Sequence, residues 1–176
     1  RARYRVFAGA RNTKKSVDIL GYEIVFKILS DEVRNVLVIR QNDTDNGTST
    51  FPNLIQLIDR LGLTGFFKFR SAPREIIYAP TGQEILFKGF NNPTSQTSLK
   101  PRKGVFTDVY FEEGSELKNF EDFRKVDGSI RIGVKDMERY GVGPEALQLT
   151  ICMNPWNKSH WIYGTFFQGR LEDDPA

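Results

Sequence analysis

Two groups of residues in this chain have types and spacing that suit phosphate chemistry. The first runs from Gly9 to Ser16, GARNTKKS, between the apolar run Val6-Phe7-Ala8 and a helical pattern that begins at Val17. Strand, loop, Lys-Ser and helix is the order of a phosphate-binding loop. In such a loop backbone N–H groups cradle phosphates, a lysine reaches the β- and γ-phosphates, and a hydroxyl holds Mg²⁺. The helix N-terminus turns its positive dipole end toward the anion. Against G-x-x-x-x-G-K-[ST], Gly9, Lys15 and Ser16 fit, while Lys14 stands where the second glycine belongs. A side chain in left-handed backbone costs about 1–2 kcal/mol. A basic surface turn before a helix is therefore the competing reading of these residues taken alone.

The second group is Glu112-Glu113, which follows the apolar run Val105 to Phe111. Hydrolysis of a nucleoside triphosphate needs one carboxylate to orient a metal and its waters, and another to orient or deprotonate the attacking water. In open α/β sheets such groups sit at the C-terminal ends of strands. Glu112 is assigned to the Mg²⁺ side and Glu113 to the water. The alternative is an exposed acidic pair at the start of the next helix, where negative charge is also favoured. Asp108 shares strand parity with Glu112 but lies mid-strand, and is read as structural. A third run, LTICMN, ends in polar residues, with Thr150 inside it and Asn154 just beyond. Asn154-Pro155 is equally an ordinary strand-to-turn boundary.

The elements that must position these residues read as alternating strand and helix. Arg3 to Ala8 is a short strand, and Ser16 to Leu29 has the wide apolar stripe of a helix packed on a sheet. Asn35 to Arg40, NVLVIR, reads as a strand buried on both faces. Together they suggest a βαβ unit and a parallel sheet. Gln41 to Thr50 is polar and reads as a loop, and Phe51 to Leu61 as a helix closed by Gly62. Glu75 to Gly89 reads as a β-hairpin about Pro80-Thr81-Gly82, at an edge of the sheet. Asn91 to Gly104 is polar, with Lys100, Arg102 and Lys103 near its end. A helix is expected from Leu117 to about Lys125, a last strand at Leu147 to Met153, and a helical ending from Lys158 to Gln168.

The 176 residues suit one domain or a little more with an ordinary core, at 39% hydrophobic and 12% aromatic content. A net charge of +3 permits a nucleic-acid partner without requiring one. The single cysteine, Cys152, excludes an internal disulfide and suits a reducing compartment. The single histidine, His160, argues against His-based metal sites and triads. No apolar run approaches the roughly 18 residues of a membrane span. The chain opens at Arg1 inside a strand, and is expected to be a piece of something longer.

Four segments in this order, VFAGARNTKKS, IYAPTGQEILFKG, VYFEEGSEL and LTICMNPWNKSHWIY, resemble the ATPase domain of the large terminase subunit of tailed phages and prophages. The similarity spans nearly the whole chain. It implies an α/β P-loop fold of the ASCE type, a mostly parallel central sheet flanked by helices with an edge β-hairpin. It also implies a Mg²⁺-dependent ATPase that moves double-stranded DNA into a procapsid. The family works as a ring on a portal protein, with a small terminase subunit, in the host cytoplasm.

Carried over by position, the resemblance makes Gly9, Ala10, Arg11, Asn12, Thr13, Lys14, Lys15 and Ser16 the nucleotide-binding loop. Lys15 would contact the β- and γ-phosphates, Ser16 and Glu112 the metal, and Arg11 the γ-phosphate. Glu113 matches the catalytic carboxylate, and Thr150 and Asn154 the motif that couples hydrolysis to movement. Arg131, after the acidic pair, is the candidate for an arginine donated to a neighbouring subunit; such a group contributes about 10³–10⁵ in rate. Arg124 and Arg139 compete with it. Lys100, Arg102 and Lys103 form the densest basic patch and the candidate for phosphate contacts to DNA, with a solvated loop as the alternative.

Departures from the family pattern are Ala10, Asn12 and Lys14 for glycines, and Glu112 for the usual Asp. The adenine-contacting segment that normally precedes the loop and the C-terminal nuclease are expected to lie outside residues 1–176, and Glu172, Asp173 and Asp174 read as a tail. Two other functions compete: another P-loop translocase or helicase, and a degenerate P-loop scaffold that binds without turnover, which Lys14 favours.

Overall fold

A computed structural model of the chain describes residues 2–9, 16–30, 32–90, 99–154 and 158–168, the side chains of 16–19 aside. Its centre is a seven-stranded sheet in the order β1-β7-β6-β2-β5-β4-β3. The strands are β1 (Tyr4–Ala8), β2 (Arg34–Arg40), β3 (Phe67–Ser71), β4 (Arg74–Tyr78), β5 (Glu84–Gly89), β6 (Val105–Phe111) and β7 (Gln148–Met153). β1, β7, β6, β2 and β5 run parallel, so all five leave the sheet at one rim. β4 and β3 add antiparallel to β5. The edge hairpin of the sequence reading is thus β4–β5, extended outward by a third strand at the aromatic segment around Phe67, and its β5 joins the parallel core.

β2, β6 and β7 are hydrophobic on both faces because helices cover both sides. On one face a π-helical segment, Ser16–Glu23, runs into α1 (Ile24–Ser30), beside α3 (Phe51–Arg60). Leu20, Ile24, Val25 and Ile28 pack there with Leu54, Leu57 and Ile58 onto Val36, Val38 and Tyr110. The other face carries α4 (Phe120–Ser129), α5 (Val134–Tyr140) and α6 (Trp161–Phe166). There Phe111, Phe123, Ile151 and Ile162 form the core, with Trp161 and Phe123 rings 5.4 Å apart. Asn119 caps α4, its side chain accepting from Asp122 N at 2.9 Å.

Gln41 to Thr50, read as a loop, is mostly helical: α2 (Asp43–Asp45) and a π-helical turn, Asn46–Thr50, lead straight into α3. Tertiary bonds hold it, including Asn46 Nδ2 to Lys88 O at 2.9 Å. α5 falls within Asp127 to Gly143, a glycine- and charge-rich stretch. No helix among the described residues is long and apolar enough to cross a membrane.

Candidate functional site

Parallel strands gather the sequence motifs on one rim. β1 ends at Ala8, and Gly9 N extends the ladder by donating to Met153 O at 3.2 Å. Gly9 is therefore pinned beside the exit of β7, and β7 lies between β1 and the acidic strand β6. Ser16 opens the helical segment that returns from that rim. Ala10, Arg11, Asn12, Thr13, Lys14 and Lys15 lie outside the described residues.

Glu112 and Glu113 leave β6 in different directions. Glu112 is buried on the face of α1 and α3; its N donates to Ile39 O at 3.0 Å. Its carboxylate Oε2 accepts from Thr50 Oγ1 and from Arg40 Nη1, the latter at 3.4 Å. Oε1 takes no hydrogen bond among the described residues. Arg40, at the end of β2, also pairs through Nη2 with Glu116 Oε1 at 3.1 Å, and its Nη1 donates to Ser49 Oγ at 2.9 Å. Burial works against the Arg40 charge. The hydrogen bond to Glu116 and the fields of Glu112, Glu116 and Glu113 more than offset it, so its pKa is raised.

Glu113 has φ 53° and ψ 54°, the left-handed region. It is the only non-glycine residue with positive φ among those described, and that backbone costs of order 1–3 kcal/mol. The turn continues through Gly114, where a Cβ would overlap Ile151 Cγ2. The twist throws the Glu113 side chain toward β7, where Asn154 Nδ2 donates to its Oε2 at 3.3 Å. The double acid is thus split: one carboxylate held by β2 and the start of α3, the other by the residue just past β7.

A cavity of about 180 Å³ opens beside Glu112, lined by Leu20 and Gly21 of the first helix, Thr50, and Asn53, Leu57 and Arg60 of α3. No cluster of three or more His, Cys, Asp or Glu side chains able to hold a metal occurs among the described residues. Mg²⁺ of the nucleotide-borne kind keeps its waters and takes one or two carboxylates plus phosphate oxygens. The donor set, a carboxylate whose Oε1 has no partner among the described residues, on the rim where Ser16 begins its helix, fits that ion.

The other expected site residues lie elsewhere. Thr150 is in mid-strand, four residues before Asn154, its Oγ1 accepting from Arg5 Nη2 at 2.8 Å. The structure brings Asn154 to Glu113 and leaves Thr150 inside the sheet. Arg131 follows α4 at the opposite rim, its Nε donating to Gly128 O at 2.6 Å; it shares a cavity of about 370 Å³ with Arg3, Asp127 and Leu147. Lys100 is exposed, just before the entry of β6 at that same far rim. Arg102 there is paired with two buried carboxylates, Glu75 Oε2 at 2.8 Å and Glu84 Oε2 at 3.0 Å. Lys103 Nζ donates to Thr81 O at 2.9 Å. Asp108 is structural, as expected, bonded to Lys27 and Thr107. Cys152 packs in the core, and His160 caps α6 by accepting from Ile162 N at 3.3 Å.

Arg40 and Thr50 are the site residues that sequence reasoning missed. Arg40 looked like a strand terminus and Thr50 like loop. The signal available was Arg40 closing NVLVIR on the rim toward which Glu112 also points.

A five-stranded parallel core with its acids one strand removed from the strand that leads into Gly9 is the arrangement of an α/β P-loop fold. The family model for the phage terminase large subunit, Terminase_3, matches residues 1–176, and the chain belongs to that family. It is 31% identical over 166 residues to the PBSX phage terminase large subunit of Bacillus subtilis (strain 168), covering 94% of this chain and 34% of that one. It is 27% identical over 125 residues to the large terminase subunit of Bacillus phage SPP1, covering 71% and 29%. The chain spans about a third of the length of the curated relatives it matches. Among solved structures, the large terminase of a thermophilic bacteriophage superposes with a TM-score of 0.69 at 11% identity, over 97% of this chain and 38% of that one. The same phage's large terminase in complex with ADP gives 0.67 at 12% identity, over 96% and 38%. These superpositions identify the fold as that of the large terminases.

Proposed function

We propose that residues 1–176 are the ATP-hydrolysing motor domain of a large terminase, which moves double-stranded DNA into a procapsid. The observation that carries the reading is the shared rim. Gly9 is hydrogen-bonded to Met153, Asn154 to Glu113, and Glu112 faces the cavity beside the first helix. Nucleotide binding is supported by the family and by the ADP complex of the thermophilic phage's protein.

In this reading the loop from Gly9 to Ser16 wraps the phosphates, with Lys15 on the β- and γ-oxygens and Arg11 on the γ-phosphate. Ser16 and Glu112 would hold Mg²⁺, which when bound neutralises charge on the phosphate oxygens. Glu113 orients the attacking water for in-line displacement and takes its proton. Asn154 fixes the Glu113 carboxylate and senses the γ-phosphate, and a guanidinium from a neighbouring subunit, with Arg131 the candidate, completes charge neutralisation. Lys100 and Lys103 are the candidates for DNA phosphate contacts, while Arg102 is committed first to Glu75 and Glu84. The working form is a ring with portal protein and small subunit, in the host cytoplasm.

The test is phosphate release from ATP with and without Mg²⁺, by wild-type chain, Lys15→Ala and Glu113→Ala. Loss of release in both variants and on chelation is expected. Unchanged release in either variant would instead support a scaffold that binds without turnover.

A further inference from the structure

Beneath the site lies a polar network that no step of this chemistry uses. Lys27, in α1, has its Nζ 2.5 Å from Glu23 Oε1 and 2.6 Å from Asp108 Oδ1, and donates to Tyr110 Oη at 2.8 Å. Asp108 is 1% exposed and takes a second hydrogen bond from Thr107 Oγ1 at 2.7 Å. Glu23 Oε1 also accepts from Arg5 Nη2 at 2.5 Å and from Tyr110 Oη at 2.9 Å. Arg5 completes the circuit by donating to Thr150. The members come from β1, the helix that follows the phosphate loop, β6 and β7. Each of these elements ends in, or begins from, one motif of the site.

Fastening the helix to the sheet does not require ions. Ile24, Ile28, Val38 and Cys152 pack on the same face. Replacing a buried ion pair by apolar side chains of similar volume is often neutral or stabilising, and the best-attested use of such groups is to set register. Apolar contacts tolerate sliding; one ammonium directed at three oxygens does not. A slip of one turn would carry the helix about 5.4 Å along its axis, enough to part a phosphate-loop hydroxyl from the acids of β6.

We infer that Lys27 is a positioning residue: through Asp108 and Tyr110 it fixes the register of the helix after the phosphate loop against the strand that carries Glu112 and Glu113. Arg5 and Glu23 extend the same register to β7, which accounts for the placement of Thr150. The inference rests on the ATP-hydrolysing reading above.

The experiment compares wild-type chain, Lys27→Met, and Lys27→Met combined with Asp108→Asn. It measures thermal midpoint, affinity for a fluorescent ADP analogue, and phosphate release at saturating ATP with Mg²⁺. The double variant removes both charges, so it reports on register even where Lys27→Met alone fails to fold. Expected in the double variant is a retained cooperative transition, affinity within about threefold of wild type, and kcat lower by about tenfold or more, a loss of about 1.4 kcal/mol in transition-state stabilisation. A folded double variant with kcat within about twofold of wild type overturns the inference and leaves the hydrolase reading standing. Wild-type chain that binds ADP but releases no phosphate removes that reading, and the inference with it.

Discussion

Asn154 Nδ2 donates to Glu113 Oε2 across 3.3 Å and so ties the exit of β7 to the exit of β6. The residue assigned to water activation is thereby aimed by a neighbour that belongs to a different strand. Asn154→Ala is expected to lower turnover by about tenfold, because an unaimed general base loses much of its effect, while nucleotide affinity stays within about twofold. Parallel phosphate-release and ADP-titration measurements check this.

Glu113 occupies left-handed backbone, so its side-chain chemistry and its conformation can be tested apart. Asparagine tolerates that conformation and β-branched residues do not. Glu113→Asn is expected to match wild type in stability, and Glu113→Val to lose about 1–2 kcal/mol, a shift of roughly 2–8 °C in thermal midpoint for a chain of this size. Both should lose phosphate release, so calorimetry separates them and turnover does not.

Arg40 stands between Glu112 and Glu116, its side chain 12% exposed and that of Glu112 8%. Arg40→Met leaves the carboxylates without a counter-charge. The expected destabilisation is about 2–4 kcal/mol, somewhat below a fully buried broken pair because Glu116 is wetter. Denaturant unfolding measures it. Adding Glu112→Gln to Arg40→Met should recover part of the loss.

The acid limb of stability should pass through Glu23. Burial opposes its charged form, but hydrogen bonds from Arg5, Lys27 and Tyr110 and the Lys27 charge outweigh burial, holding its pKa below the ordinary 4.5. The folded state therefore binds this proton less readily than the unfolded chain. The stability it contributes is complete above the ordinary value and lost as pH falls through the depressed one. Glu23→Gln is expected to flatten the stability profile in that acid window and to lower the plateau above it, as unfolding curves at stepped pH would record.

Much of this could be read from residue order. NVLVIR, VFTDVYF and LTICM announce themselves as strands because runs of β-branched and aromatic residues with no polar face fit only a sheet covered on both sides. Their order with the intervening helices gives a common rim for Gly9, Glu113 and Asn154. The helical turns from Asp43 to Thr50 were not legible, since DTDNGTST has no apolar period. It is helical because Asn46, Ser49 and Thr50 bond to Lys88, Arg40 and Glu112 across the fold. The bond from Arg5 to Thr150 was not legible for a similar reason: the two residues stand 145 positions apart in the chain. Arg102 looked like free charge because nothing local marks Glu75 and Glu84 as buried.

The hairpin turn around Thr81 and Gly82 belongs to the rim where β5 enters the sheet, away from Glu112, Glu113 and Asn154. A dye, affinity handle or short insert grafted there would sit a strand's length, about 20 Å, from the proposed chemistry. That makes the turn an attachment point clear of the proposed hydrolytic rim for surface tethering, and one that borders Lys103.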